Sequence, residues 1–224
     1  MIRFNEIAPT FLILTVMLMG CANSMMYSPS LGLPHSPLAK NTLDLQAGAG
    51  LFPETRPHLL DEKKSTWGAN GQFSFGVTDR FTLSAKAWTD IERLDGLRSG
   101  LALSGQFARP ISDLSQLIFI PRVGFAVAGL FSSGMGMGFS TVYQQEIDHR
   151  FSHYIGLGSV WGWTEGKTSN GGVGLLAHYG VSCQLPNKLW FNLEVNPVYQ
   201  LNYYENKKTF IVSPTLSIGY RIDN

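Results

Sequence analysis

The chain has 224 residues, and its 17 Lys and Arg nearly balance its 16 Asp and Glu, which leaves a formal net charge of +1 at pH 7. This balance excludes the basic footprint of a nucleic-acid-binding protein. Only two cysteines are present, Cys21 and Cys183, so a disulfide-rich scaffold is excluded as well. We therefore expect a single domain without a nucleic-acid partner.

Residues 1–20 predict an export signal peptide. Arg3 supplies a positive charge, and the apolar run at 11–19 is too short for a transmembrane helix. Leu18-Met19-Gly20-Cys21 resembles the lipobox of bacterial lipoproteins, whose cysteine becomes the acylated N-terminus. The resemblance implies lipidation of Cys21 and, with Ala22 next to it, delivery to the outer membrane. The alternative is an ordinary signal peptide and an unmodified cysteine.

Residues 21–41 predict an extended tether between this anchor and a folded domain at 42–224. Three prolines fall between residues 27 and 41, together with glycine and serine, which disfavours regular structure. If Cys21 is lipidated, Cys183 is the one cysteine left, so the domain must be stable without an internal disulfide.

From residue 42 onward, apolar and polar residues alternate with a period of two, which predicts β-strands. The alternation is clean in the last strand, where Phe210 and Val212 oppose Thr209 and Ser213. It is weakest in the fifth, because Ile118 and Ile120 interrupt the polar face. The ten predicted strands are 42–52, 65–77, 81–89, 97–109, 116–130, 136–147, 151–162, 171–184, 188–202 and 209–222.

Short polar turns centred on Asp79, Asp113, Asp148 and Asn187 recur at intervals of 34, 35 and 39 residues. The connections at the other ends of the strands are more variable and mostly longer. This rhythm predicts an all-β, antiparallel barrel of about ten strands, with eight or twelve as alternatives. In a membrane barrel the short turns are periplasmic and the longer loops extracellular. An even strand number then places both termini in the periplasm.

The charged residues indicate which face of the barrel is enclosed. A solvated exterior would be rich in Lys and Glu, yet the charges within the predicted strands are few and all lie on the polar face among Gly, Ser, Asn and Gln. We therefore predict that the polar face lines the lumen and the apolar face contacts lipid. The predicted lumen charges are Asp44, Lys86, Arg98, Arg122, Glu146, Glu194 and Arg221.

Aromatic residues on the apolar face concentrate toward the two ends of the strands. Such a spacing is typical of the two aromatic girdles of a membrane barrel. The predicted girdle residues are Trp67, Trp161 and Phe210 near the long loops, and Phe75, Phe81, Phe107, Phe151 and Tyr220 near the turns.

The predicted lumen charges leave two alternatives for the interior. They could line a narrow water path, or they could form ion pairs that plug the barrel. Eight strands enclose an interior that side chains just fill, whereas open pores need about sixteen. Ten strands therefore favour a plugged lumen.

The segment Gly76-Val77-Thr78-Asp79-Arg80-Phe81-Thr82-Leu83 resembles the strand-turn-strand phrase of small bacterial outer-membrane β-barrel proteins. Weaker matches to the same motif occur at Asp148-His149-Arg150-Phe151 and Asn187-Lys188-Leu189. The resemblance implies a barrel in the bacterial outer membrane, with outer-membrane lipid and the barrel insertion machinery as partners. It leaves the oligomeric state open.

Candidate chemistry is sparse. His178 lies on the polar face with Ser182 two alternations away, and Glu146 or Glu194 could approach it to form a Ser-His-acid site. We expect instead a luminal histidine that is hydrogen-bonded among Asn and Gln. His149 and His153 flank a turn rather than share a helical face, so no metal site is predicted. No cofactor is predicted.

The sequence therefore predicts an outer-membrane barrel lipoprotein with a structural or surface-binding role and no catalysis. Three alternatives stay open: a narrow channel for small solutes, a barrel-embedded lipid-modifying enzyme of the lipid A hydrolase or acyltransferase type, and a lipid-anchored soluble barrel that binds an apolar ligand.

Overall fold

Ten antiparallel strands form one closed barrel. The computed structural model describes residues 30–34, 36, 38–53, 65–91, 98–128, 133–165, 170–202 and 208–223. Each strand pairs with its neighbours in the sequence, and the first strand pairs with the last to complete the ring. The predicted barrel of ten strands is confirmed. Its strands are β1 (Leu43–Pro53), β2 (Ser65–Thr78), β3 (Phe81–Asp90), β4 (Arg98–Ser112), β5 (Ser115–Ala128), β6 (Ser133–Glu146), β7 (Phe151–Glu165), β8 (Asn170–Gln184), β9 (Leu189–Asn202) and β10 (Lys208–Ile222).

The observed strand ends differ from the predicted ones by at most three residues. The largest differences are at the end of β4, the start of β6 and the end of β7, which all extend further than predicted. Backbone pairing continues there beyond the residues that alternate, as between Ser133 and Val127 and between Ser133 and Glu165. These strands are therefore longer than predicted, because they continue to hydrogen-bond to a neighbouring strand after the alternation of side chains has ended.

Short connections join the strands at one end of the barrel, as predicted. Two of them are the two-residue turns Asp79–Arg80 and Asp113–Leu114. In the third, Asp148 Oδ1 accepts the N–H groups of Arg150 and Phe151 at 2.7 and 2.8 Å. The fourth contains a single 3₁₀ turn, Pro186–Lys188. Among the described residues, no helix is long and apolar enough to cross a membrane.

The two faces of the barrel wall differ sharply in polarity. Large apolar side chains are exposed along the outside, and Leu157 reaches 72% exposure. Contiguous apolar surface of this kind is rare on soluble monomers. The enclosed face carries buried polar side chains, among them Gln46, Asn70, Gln72, Ser84, Gln144, His178, Ser182, Asn192 and Asn196.

The interior also contains two apolar clusters. One lies away from the short turns and consists of Phe52, Trp88, Val160, Leu176 and Val198. The other contains Ile118 and Ile120 of β5, Val142 of β6 and Tyr154 of β7, together with Leu31 and Leu33, which precede the first strand. Residues that precede the first strand, and so are not part of the barrel wall, therefore contribute to the core.

Candidate functional site in the barrel lumen

The described chain before β1 enters the barrel from its short-turn end: residues 30–34 and Leu38 are buried, whereas Ala39, Lys40 and Asn41 are exposed there. We call its described residues, 30–34, 36 and 38–42, the lumen segment. It joins β1 at the short-turn end, where Asn41 N–H donates to Gly76 O at 2.8 Å and Gly76 N–H donates to Thr42 O at 2.9 Å. From there it runs inward, because Ser36 contacts Arg221, near the end of β10, whereas Ser30 contacts Lys86, the sixth residue of β3.

This placement corrects the prediction of a tether outside the domain for the described part of residues 21–41. Prolines and a left-handed Gly32 (φ 61°) do keep the segment out of regular structure, as the sequence suggests. Its main chain nevertheless finds partners inside the barrel, and Leu31, Leu33 and Leu38 are buried. Burying these leucines supplies the apolar stabilisation that a tether in water would lack.

Glu194 of β9 holds the inner end of the lumen segment. Its two carboxylate oxygens accept the N–H groups of Leu31 at 2.8 Å and Gly32 at 2.6 Å. Asn196 Nδ2 donates to the same carboxylate at 3.2 Å. The Glu194 side chain is 0% exposed, and hydrogen bonds from several donors are what a buried carboxylate requires.

Donors on β3, β6, β8, β9 and β10 bind the carbonyl groups of the lumen segment. Lys86 Nζ donates to Ser30 O at 2.6 Å. Gln144 Nε2 donates to Pro34 O at 2.8 Å, and Arg221 donates to Ser36 O at 2.9 Å and to Ser36 Oγ at 3.0 Å. Two donors share Leu33 O: Asn192 Nδ2 at 2.6 Å and Ser182 Oγ at 2.9 Å. The barrel wall thus grips the segment from several sides.

A small cavity lies beside the lumen segment at the short-turn end. Its volume is about 10 Å³, and Leu33, Pro34, Ser36 and Ile118 form part of its lining. That volume accommodates about one water molecule. The segment therefore packs closely against the wall at this point.

Gly32 is conformationally required at its position. Its φ of 61° lies in the left-handed region, and a Cβ atom there would overlap the side chain of Gln46. Both factors disfavour a β-branched residue most strongly. Glycine at this position thus lets the main chain of the lumen segment bind Glu194 and pass close to Gln46 of the wall.

Deeper in the lumen, hydrogen bonds link residues of four strands. Arg122 donates to Ser140 Oγ at 2.8 Å, and Ser140 Oγ lies 3.0 Å from His178 Nε2. His178 Nδ1 lies 2.8 Å from Asn196 Oδ1. A neutral imidazole with Nδ1–H satisfies every contact, since it donates to Asn196 and accepts from Ser140. Through Asn196, this network reaches Glu194 and the lumen segment.

The Ser-His-acid combination of His178 with Ser182 and Glu146 or Glu194, which the sequence left as an alternative, is not assembled. Ser182 donates to Leu33 O and Glu194 binds the lumen segment, while His178 contacts Ser140 and Asn196 instead. Ser140 is 0% exposed and already accepts a hydrogen bond from Arg122. A substrate could not reach this serine in the described conformation.

The predicted lumen charges divide into three groups. Asp44, Lys86, Arg122 and Glu194 are buried in the interior, and Glu146 and Arg221 are half-buried near the short-turn end. Asp44 Oδ2 accepts from Trp190 Nε1 at 2.7 Å, and Asp44 faces Arg221 in the β1–β10 pairing. The side chain of Arg98 lies outside the described residues, as does Cys21. The interior charges thus engage the lumen segment as well as the wall.

The predicted girdle residues lie on the outer face. Five of them, Trp67, Phe107, Phe151, Phe210 and Tyr220, are exposed, while Phe75, Phe81 and Trp161 are half-buried. Phe81 and Phe107 stack with their ring centroids 4.5 Å apart. Among the described residues, no group of three His, Cys, Asp or Glu side chains is placed to hold a metal ion.

No family model matches this chain, and no curated protein matches it. Its structure is similar to that of an outer-membrane channel from Pseudomonas putida F1, with a TM-score of 0.54 and 8% identity over 86% of this chain and 99% of that one. The β domain of the Bordetella autotransporter Brka has a TM-score of 0.45 and 10% identity, over 84% and 100% of the two chains. The outer-membrane protease OmpT from Escherichia coli has a TM-score of 0.40 and 8% identity, over 81% and 94%. At such identities the likeness to the channel shows the fold alone: this chain has the fold of outer-membrane β-barrel proteins.

Proposed function

We propose that this protein is a small channel of the bacterial outer membrane, without catalytic activity, whose lumen is closed by its own lumen segment. The proposal rests on one observation: polar side chains of the wall form many hydrogen bonds with a segment that is not part of the wall. The apolar exterior and the predicted export signal support the outer-membrane location. Lipidation of Cys21, insertion by the barrel machinery and the periplasmic position of the termini stay predictions.

The barrel wall is complete without the lumen segment, which supports a removable plug. The pairing of β1 with β10 runs from Leu43–Ile222 to Gly50–Thr215 and involves no residue of the segment. Loss of the segment from the lumen would therefore leave every strand pairing in place. A permanently filled interior would gain stability from apolar side chains, whereas buried Lys86, Arg122 and Glu194 suit a lumen that also meets water.

Unpaired polar groups favour opening. Within the described residues, side-chain polar atoms of Gln46, Asn70, Thr215 and Ser217 are buried without a hydrogen-bond partner. They lie on the neighbouring strands β10, β1 and β2. Each such group costs roughly 1–3 kcal/mol, and water that enters an open lumen would hydrate them.

The proposal is tested with the full chain carrying Gly32→Val in planar lipid bilayers. A valine with left-handed φ costs about 1–3 kcal/mol, which predicts an increase in open time of about fivefold or more over the wild-type chain. The matched control is Gly71→Val. Gly71 faces outward, and the nearest atom to an added Cβ is a backbone oxygen 3.8 Å away, so this variant should stay as closed as wild type.

Two other outcomes would contradict the proposal. Silence of both variants would favour the permanently closed, structural barrel. Hydrolysis of acyl esters by Gly32→Val, abolished by adding Ser140→Ala but not by adding Ser182→Ala, would favour a lipid-modifying enzyme built on Ser140 and His178.

A further inference from the structure

The hydrogen bonds between the barrel wall and the lumen segment fall almost entirely on main-chain atoms of the segment. The carbonyl groups of Ser30, Gly32, Leu33, Pro34 and Ser36 accept from wall side chains. The N–H groups of Leu31 and Gly32 donate to the Glu194 carboxylate. These groups are common to all peptides, so the polar part of the lumen recognises a peptide backbone rather than particular side chains.

The side chains of the segment add a second, selective feature. Leu31 and Leu33 enter the apolar cluster of Ile118, Ile120, Val142 and Tyr154. Between them, Gly32 has a left-handed φ of 61° and no room for a Cβ atom beside Gln46. The wall therefore fits an apolar residue, a glycine and a second apolar residue in succession.

We propose that the lumen is a peptide-binding site, whose ligand class is short peptides with glycine between two apolar residues, and that the lumen segment occupies it as an intramolecular ligand. This inference rests on the proposed channel function, because it names the class of solute that the open lumen takes up. A covalently attached ligand acts at an effective concentration in the millimolar range. Free peptide therefore binds well only where the segment is loosened.

The experiment adds the free peptide Ser-Leu-Gly-Leu-Pro-His-Ser, the sequence of residues 30–36, to bilayers that contain the full-length Gly32→Val chain. The change lies in the segment, so the wall keeps all its binding groups. We expect the peptide to close the open channels in a concentration-dependent way. The control peptide Ser-Leu-Val-Leu-Pro-His-Ser should need a concentration at least about fivefold higher for the same block, because it carries the same strain that loosens the segment.

A second readout separates this inference from the channel function. Binding of the fluorescently labelled glycine peptide, and of the labelled valine control peptide, to the same chain in detergent is measured by anisotropy. Addition of Glu194→Gln, which removes one of the two acceptor oxygens, should weaken binding about tenfold. If Gly32→Val fails to fold, the same measurements are made with Leu33→Asp, which also alters only the segment.

Open channels that neither peptide blocks would overturn the peptide site and leave the channel intact. A chain that does not conduct would overturn the channel, and anisotropy would then decide the peptide site by itself. Binding of the glycine peptide that is about fivefold or more tighter than binding of the valine peptide supports the peptide site, and equal or absent binding of the two peptides overturns it.

Discussion

Replacing Glu194 with alanine is expected to release the lumen segment and to produce channels that are open most of the time. The alanine leaves the N–H groups of Leu31 and Gly32, and the amide of Asn196, without their shared acceptor. Each orphaned buried donor costs roughly 1–3 kcal/mol, so the two main-chain groups alone shift the equilibrium about 30-fold or more toward the open state. Single-channel recording in planar bilayers measures the change.

Glu146→Ala is the matched control for this prediction. Glu146 is also an acidic residue of the polar face, but it is half-buried at the end of β6, and it should leave the closed state unchanged. Glu194→Gln keeps one acceptor oxygen and should fall between wild type and alanine. A Glu194→Ala chain that retains heat-modifiable gel mobility, and so its barrel, but stays as silent as wild type would refute the role of Glu194.

Leu33→Asp is expected to expel the lumen segment through a different interaction. Leu33 is 1% exposed and packs in the cluster with Ile118, Val142 and Tyr154. An aspartate there would be a buried charge without a partner, which costs several kcal/mol. The displaced segment should become accessible to proteinase K, so that mass spectrometry detects cleavage between residues 30 and 36, which are not exposed in the closed barrel, while the barrel from β1 onward resists.

Leu33→Met is the control, because a swap that conserves volume and polarity costs less than about 1.5 kcal/mol. It should be cleaved no faster than the wild-type chain. Equal resistance of Leu33→Asp and Leu33→Met would mean that the apolar cluster does not hold the segment in place.

The barrel itself could be predicted from the sequence because its determinants are local. Alternation of period two marks each strand, and Asp79, Asp113, Asp148 and Asn187 mark the short turns between them. A short hairpin connection places a strand beside its successor in the chain, in antiparallel orientation. The order of the strands in the barrel could therefore be predicted from their order in the sequence. Because the number of strands is even, the first and last strands could also be predicted to pair in antiparallel orientation.

The lumen segment could not be predicted in the same way, because its contacts are distant in the sequence. Leu31 and Glu194 are 163 residues apart, and no local pattern in either region specifies the other. Residues 27–41 have the proline and glycine content of a linker, and period-two reasoning has no application to an irregular chain. The segment is held by single side chains from many strands, which only the closed barrel brings together.

One signal in the sequence did mark the site. Ile118 and Ile120 interrupt the polar face of β5, and the structure shows that they face inward against Leu31 and Leu33. Apolar residues on the lumen side of a barrel need an apolar partner, and the leucines of the preceding linker were available. An interrupted polar face beside a leucine-containing linker therefore predicts a segment inside the barrel.

Thiol labelling of Ser30→Cys tests most directly whether the lumen segment closes the barrel. Ser30 is 1% exposed and its hydroxyl makes no hydrogen bond, so the nearly isosteric cysteine should leave the segment in place. The change is made in a Cys183→Ser chain, extracted in detergent and treated with a water-soluble maleimide, with exposed Ser112→Cys as the reference. We predict that Ser30→Cys is protected in the folded barrel and reacts as fast as Ser112→Cys only after unfolding. Equal rates in the folded barrel would contradict a lumen closed by residues 30–42.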